Sequence, residues 1–180
     1  MRIAVSGTHF SGKSTLIEDL SGLLPRHVTV DEPYRLLEED GHEFSAIPSL
    51  EDFESQLTRS LEALDEDQAD VLFDRCPLDL LGYILTLSDA GSFDLDDWLP
   101  EIEEALESLD LIVFLPVEAE DRIALPATED DDFRMLVDEK LKEIIRDNPY
   151  GFDVEILEVT GTRKERVARV MERVRGARSS

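Results

Sequence analysis

One short motif near the N-terminus constrains the fold of this chain more than any other feature. Residues 7–14 read GTHFSGKS and fit the pattern GxxxxGK(S/T) without a mismatch. The apolar segment Ile3–Val5 precedes the motif and the helix-forming segment Ser14–Leu24 follows it, which is the order of strand, loop and helix that the pattern requires. Glycines let successive backbone N–H groups converge on a phosphate, and the positive end of the helix dipole attracts the same anion. The motif therefore predicts a loop that binds nucleotide phosphates.

The side chains of this loop have different expected roles. Lys13 is expected to neutralise oxygens of the β- and γ-phosphates, and Ser14 to offer its hydroxyl to Mg²⁺. His9 stands where the pattern leaves the residue free, so its backbone N–H is the expected contact, with a direct catalytic role as the alternative. The nucleotide is expected to contact Gly7, Thr8, His9, Phe10, Ser11, Gly12, Lys13, Ser14 and Thr15.

Short apolar runs alternate with segments of helical period along the chain, which is typical of an α/β fold with a largely parallel sheet. The predicted strands are Arg2–Ser6, His27–Asp31, Asp70–Asp74, Leu109–Pro116 and Asp153–Thr160. No linker rich in Pro, Gly or Ser divides the sequence, so we expect a single domain over residues 1–180.

Helices are predicted from apolar stripes and from end signals. Residues 50–64 carry one stripe that Ser49 caps, and Pro77 opens a helix that is apolar nearly all round. A third helix has Asp131 and Asp132 in its first turn and an apolar stripe from Phe133 to Ile145, and Asn148-Pro149 ends it. The last helix begins with Thr162–Glu165, a capping-box pattern.

The composition excludes several classes of partner. The chain has 18 Lys and Arg against 43 Asp and Glu, a formal net charge of -25, so we expect neither nucleic acid nor a membrane as a partner. The longest apolar run, residues 111–117, is far too short to span a bilayer. The single cysteine, Cys76, and the absence of an apolar leader favour a cytoplasmic location.

Acidic residues follow the second and third predicted strands, where ligands bind in open parallel sheets. Asp74 ends an apolar strand and is expected to hold Mg²⁺, and the alternative is that it caps the following helix. Asp31 and Glu32 end the second strand, and strand alternation alone does not decide which of them faces the loop.

The loop, Glu32-Pro33 and Asp74-Arg75 together resemble the nucleoside and nucleotide kinases among the P-loop proteins. The wider pattern, with FDRCPLDLLGY in the middle and TGTRKERV near the end, is similar to the AAA-domain, kinase-like ATPases related to ribosylnicotinamide kinase. This resemblance implies a three-layer fold with a five-stranded parallel sheet in the order 2-3-1-4-5 and helices on both faces. It also implies a lid between the last two strands, over about residues 117–150.

The resemblance also implies roles for individual residues. Glu32 would be the general base, with Asp31 as the alternative, and Arg75 would bind donor or acceptor phosphate. Lid arginines over the phosphates would be Arg122 and Arg134, of which Arg134 is favoured because it lies in the first turn of a helix. Salt bridges to nearby acids are the alternative for both. The adenine would lie near Thr162.

These residues favour an ATP- and Mg²⁺-dependent kinase that acts on a small nucleoside- or nucleotide-like acceptor. The proposed catalytic residues are Lys13, Glu32, Arg75 and Arg134, and the proposed acceptor contacts are Glu32, Tyr34, Arg35 and Arg75. The alternative is a regulatory ATP-dependent switch without a small acceptor. The missing Asn-Lys-x-Asp motif disfavours a GTPase, and Arg75 after Asp74 disfavours an AAA+ machine. A homodimer is compatible with the sequence.

Overall fold

Five parallel strands form one sheet in the computed structural model, which describes residues 1–87, 90–118 and 130–177. The strands are β1 (Arg2–Ser6), β2 (Val28–Val30), β3 (Val71–Asp74), β4 (Leu111–Phe114) and β5 (Ile156–Glu158). Their spatial order is β2-β3-β1-β4-β5, and every neighbouring pair is parallel. The predicted fold class and strand order are confirmed, although β2 to β5 are shorter than expected.

Helices cover both faces of the sheet because the central strands are apolar on both faces. Ile3 and Val5 on β1 join one buried cluster with residues of the first and last helices, whereas Ala4 joins the cluster on the other face. The helices are α1 (Lys13–Leu23), α2 (Pro33–Glu39), α3 (Leu50–Asp65), α4 (Pro77–Thr86), α5 (Leu95–Glu107), α6 (Asp131–Lys142) and α7 (Arg163–Ala177), with a 3₁₀ turn at Ala90–Ser92 and a π turn at Glu143–Asp147. Within the described ranges, no helix is long and apolar enough to cross a membrane.

The helix ends agree with the sequence signals where those signals are local. Ser49 caps α3, since its Oγ accepts the Asp52 N–H at 3.2 Å and Asp52 Oδ2 accepts the Ser49 N–H at 3.1 Å. Asn148 ends the π turn after α6 in the left-handed conformation, with φ of 44°. The helices α2 and α5 were not among the predicted ones.

The parallel order places three chain reversals at one edge of the sheet. The loop after β1, Glu32 after β2 and Arg75 after β3 all follow the carboxyl ends of adjacent strands. Since β3 lies between β1 and β2, the residues that follow it are placed to contact both neighbouring segments. This edge holds the candidate site.

A close contact between α4 and α6 makes Gly82 a test of the packing. A Cβ at Gly82 would lie 2.8 Å from Leu141 Cδ2, and Leu141 is fully buried. We therefore expect Gly82→Ala to lower the free energy of unfolding by about 1–3 kcal/mol, although alanine favours helices. The matched control is Gly22→Ala in α1, where no atom lies within 4 Å of the added Cβ. This control should raise stability by up to about 1 kcal/mol. Urea denaturation measures the free energy of unfolding of both variants. Equal changes in the two would contradict a close contact between Gly82 and Leu141.

Candidate functional site

The loop after β1 has a backbone that few residue types could adopt. Gly7, Phe10 and Gly12 have positive φ angles of 150°, 52° and 94°. A Cβ on Gly7 would lie 2.6 Å from the Leu115 carbonyl oxygen and 2.7 Å from Ser11 Oγ, so only glycine fits there. Ser11 is itself buried, and its hydroxyl has no hydrogen-bond partner among the described residues.

Lys13 lies inside this loop at the start of α1. Its Nζ donates to the Thr8 carbonyl oxygen at 2.9 Å, and the residue is 6% exposed. Burial and the positive charge of Arg75 lower the pKa of Lys13 from 10.5 to about 8. The ammonium is therefore charged at neutral pH, in a place where an anionic ligand would stabilise it.

The predicted Mg²⁺ residues lie together at the same edge. Ser14 Oγ donates to Asp74 Oδ2 at 3.2 Å, and Ser14 is exposed. Asp74 Oδ1 is buried and has no hydrogen-bond partner in the part of the chain that the structure describes. Burial raises the pKa of Asp74 above its ordinary value. A hydroxyl and a carboxylate with a spare oxygen fit Mg²⁺, which takes phosphate oxygens and waters as its other ligands.

Arg75 connects the loop to the end of β2. Its Nε donates to Glu32 Oε2 at 3.0 Å, and its Nη1 donates to the Gly7 carbonyl oxygen at 3.1 Å. The guanidinium also lies 5.2 Å from the centroid of the Tyr83 ring. Its φ of 78° is left-handed, which costs a non-glycine residue about 1–2 kcal/mol. The surrounding contacts hold this strained residue in place.

Of the two acids after β2, the structure brings Glu32 to the loop. Burial alone would raise the pKa of Glu32, but the charges of Arg75, Lys13 and Arg35 hold it below the ordinary value of 4.5. Glu32 is therefore ionised at neutral pH, as a general base must be. Asp31 is exposed, and the structure places Glu32 rather than Asp31 in hydrogen bond to Arg75.

The predicted acceptor contacts Tyr34 and Arg35 lie in the first turn of α2, and both are exposed. Arg35 Nε is 3.6 Å from Glu32 Oε1. Tyr34 is 39% exposed and stacks on Phe44, with ring centroids 4.2 Å apart. This aromatic pair adjoins the Glu32 side of the site.

His9 is bound to α4 rather than left free within the loop. Its backbone N–H donates to the Tyr83 hydroxyl at 2.9 Å, and the same hydroxyl is 2.9 Å from His9 Nδ1. Burial and the charges of Arg75, Lys13 and Arg134 lower the pKa of His9 to about 4. The imidazole is therefore neutral at pH 7, and its backbone N–H, which we expected to contact a phosphate, binds Tyr83 in this structure.

Arg134 reaches the loop from α6. It is 1% exposed, and its Nε and Nη2 donate to the carbonyl oxygens of His9 and Phe10 at 3.0 and 3.2 Å. Its Nη1 pairs with Asp131 at 3.3 Å. The salt bridge that the sequence offered as the alternative is therefore present, and the bonds to the loop carbonyl oxygens were not predicted. Arg122 lies outside the described residues.

Arg166 binds the loop but was not among the predicted site residues. Its Nη1 donates to the Ser11 carbonyl oxygen at 2.9 Å, its Nε to the Gly161 carbonyl oxygen at 3.1 Å, and its Nη2 to Glu118 Oε1 at 2.7 Å. It therefore joins the loop to the segments after β4 and β5. The available signal was its position in the first turn of α7, the helix that follows β5.

Thr162, the predicted adenine contact, takes part in the cap of α7. Its N–H and its hydroxyl both donate to Glu165 Oε2, each at 2.7 Å. The capping box that the sequence indicated is therefore present.

The loop geometry, the strand-end acid and the sheet order define a P-loop nucleotide-binding fold. A family model described as an AAA domain matches residues 2–166. Because this match covers most of the chain, the chain belongs to that AAA-domain family. A search of curated proteins gives no match.

Solved structures of two kinases and of one further protein have the same fold. Deoxyadenosine kinase from M. mycoides with bound dATP is 17% identical, with a TM-score of 0.62 over 97% of this chain and 100% of that one. Thymidylate kinase from Candida albicans is 19% identical, with a TM-score of 0.66 over 98% and 91%. The YorR protein of Bacillus subtilis, in complex with phosphorylated GDP, is 17% identical, with a TM-score of 0.59 over 100% and 99%. The P-loop kinase-like resemblance and fold are confirmed.

The buried charge of Lys13 gives a prediction about stability and pH. The Lys13 ammonium binds its proton less tightly in the folded state than in the unfolded chain. Its burial therefore lowers the free energy of unfolding in full below pH 8, and this effect disappears as the pH rises to 10.5. We expect Lys13→Met to raise the free energy of unfolding at pH 7, without nucleotide, by about 1–3 kcal/mol. Denaturation curves from pH 7 to 10.5 measure this effect.

Lys164→Met, at an exposed position of α7, is the control and should change stability little at either pH. The difference in free energy of unfolding between wild type and Lys13→Met should decrease as the pH rises. Parallel pH curves for the two proteins would contradict the buried charge.

Proposed function

We propose that this chain transfers the γ-phosphate of ATP, with Mg²⁺, to the hydroxyl or phosphate of a small nucleoside- or nucleotide-like acceptor. The observation that carries the proposal is the hydrogen bond of 3.0 Å between Glu32 and Arg75 beside the loop. It sets an ionised carboxylate next to a largely buried cation beside the glycine-rich loop. Phosphoryl transfer needs positioning, charge neutralisation and one base near the nucleophile.

The donor would bind along the loop. The Lys13 ammonium and the loop N–H groups other than those of Gly7 and His9, which donate to Asp79 and Tyr83, would hold the β- and γ-phosphates of ATP. Mg²⁺ at Ser14 and Asp74 would supply further neutralisation of the phosphate oxygens. Arg166 joins Ser11 to Gly161, so it would fix the loop relative to the turn between β5 and α7. In that turn, Thr162 would lie near the adenine.

The acceptor would bind between α2 and the loop, near Tyr34 and Arg35. Its hydroxyl oxygen would bond to the γ-phosphorus while the bond to the bridging oxygen breaks and ADP leaves. The hydroxyl proton would pass to the Glu32 carboxylate. Arg75 would neutralise charge on the transferred phosphate. The names of the neighbouring structures, deoxyadenosine kinase and thymidylate kinase, support this class of acceptor.

Two arginines would complete the site from the segment between β4 and β5. Arg134 would exchange its bond to Asp131 for a phosphate oxygen while it keeps its bonds to the loop carbonyls. Arg122 would approach the nucleotide from the predicted lid over about residues 117–150.

Glu32→Gln tests the proposed base. Glutamine keeps an oxygen that accepts from Arg75 Nε but accepts no proton, so we expect transfer to fall by about 10²- to 10⁴-fold. The ATP dissociation constant should stay within about threefold, since the loop and Lys13 are unchanged. Transfer from labelled ATP to a panel of nucleosides and nucleotides, together with ATP titration, measures both quantities.

The matched control is Asp31→Asn, which removes an exposed carboxylate from the neighbouring position. It should keep transfer within about threefold of wild type. Equal transfer by Glu32→Gln and wild type would overturn the role of Glu32. If no acceptor raises ADP release above the rate in water, the regulatory switch replaces the kinase.

A further inference from the structure

Asp79, in the first turn of α4, is a fully buried carboxylate that the proposed reaction does not use directly. Its Oδ1 accepts the Gly7 N–H at 2.8 Å, and its Oδ2 accepts the Cys76 N–H at 2.9 Å. Arg75 Nη1 lies 3.8 Å from Oδ1. One carboxylate therefore contacts the first residue of the loop, the start of α4 and the largely buried arginine.

Helix capping alone does not account for a charge at this position. The Cys76 N–H needs one acceptor, which a neutral side chain could supply. A fully buried carboxylate is unfavourable unless a cation and hydrogen-bond donors surround it. Here the cation is Arg75, and the second donor is the loop glycine.

The contacts of Asp79 constrain Arg75 from a different direction than Glu32 does. Glu32 holds Nε, while Asp79 and the Gly7 carbonyl oxygen hold Nη1. The Arg75 backbone is left-handed, with φ of 78°, and its N–H donates to the Val5 carbonyl oxygen at 3.0 Å. Strained residues of this kind persist only when their surroundings fix them.

We propose that Asp79 is a positioning residue for phosphoryl transfer, which sets the guanidinium of Arg75 at a fixed distance from the first loop glycine. The inference rests on the proposed function, because it assigns Arg75 to the transferred phosphate. Asp79 acts through Arg75 and touches neither nucleotide nor acceptor. Its loss should therefore affect the rate of transfer more than the binding of ATP.

The first experiment compares Asp79→Asn with Asp52→Asn. Asp52 is also buried, at 6% exposure, and its carboxylate likewise accepts the backbone N–H that begins its helix. Both variants should lose thermal stability. Only Asp79→Asn should lower kcat, by about 10- to 100-fold, with the KM for ATP within about threefold, because Lys13 and Ser14 keep their places.

The second experiment is a double-mutant cycle with Arg75→Met. If Asp79 acts through Arg75, Asp79→Asn should change kcat by less than about twofold once the guanidinium is gone. The same loss of kcat in both backgrounds would overturn the proposal. So would an equal loss of kcat in Asp52→Asn.

A third measurement does not depend on turnover, so it separates this inference from the proposed function. In ¹⁵N-labelled protein, solvent exchange of the Arg75 Nη1–H protons, which lie nearest Asp79, should be about tenfold faster in Asp79→Asn than in wild type or Asp52→Asn. Unchanged exchange would overturn the positioning role even if transfer is confirmed. Faster exchange in a protein that transfers no phosphate would reject the kinase and keep the contact between Asp79 and Arg75.

Discussion

The structure around the loop depends on two cations close to one another, the buried Lys13 and the largely buried Arg75. Arg75 has carboxylate partners in Glu32 and Asp79, whereas the Lys13 ammonium donates to the Thr8 carbonyl oxygen. The pKa of Lys13 therefore falls to about 8 through burial and the charge of its neighbour. A polyphosphate bound in the loop would relieve this unfavourable arrangement. In a chain with a net charge of -25, these cations lie among the acidic side chains of Glu32, Asp74 and Asp79.

The parallel sheet makes this concentration of charge possible. Because β3 lies between β1 and β2, Arg75 reaches both the Gly7 carbonyl oxygen and the Glu32 carboxylate. Helices on the other side of the loop add further contacts, through Tyr83 to His9 and through Arg134 to the loop carbonyls. The loop is thus held by α4, α6 and α7 as well as by its own glycines. These hydrogen bonds fix the position of the loop. The buried charge of Lys13 and the left-handed backbone of Arg75 both lower the free energy of unfolding.

Local patterns predicted most of the fold and pointed to most of the residues that lie at the candidate site. The loop motif, the apolar strand runs and the capping boxes each depend on a few neighbouring residues, so the sequence shows them directly. The helix α5 was missed because Pro100 lies inside it, and proline ordinarily ends a helix. Asp79 and Arg166 were missed for a different reason, since their partners lie far away in the sequence and only the folded chain brings them together. The exposed Asp31 and the bound Glu32 could be distinguished only by the direction in which β2 ends.

We propose that Lys13 and Arg75 form a site for nucleotide phosphates, and calorimetric titration would detect it. ATP, ADP and adenosine, each with Mg²⁺, would be titrated separately into the wild-type protein at a fixed salt concentration. ATP should bind at least about 100-fold more tightly than adenosine, because several charge-assisted hydrogen bonds depend on the phosphates. ADP should lie between them. Equal affinity for ATP and adenosine, or no detectable binding of ATP, would contradict the account.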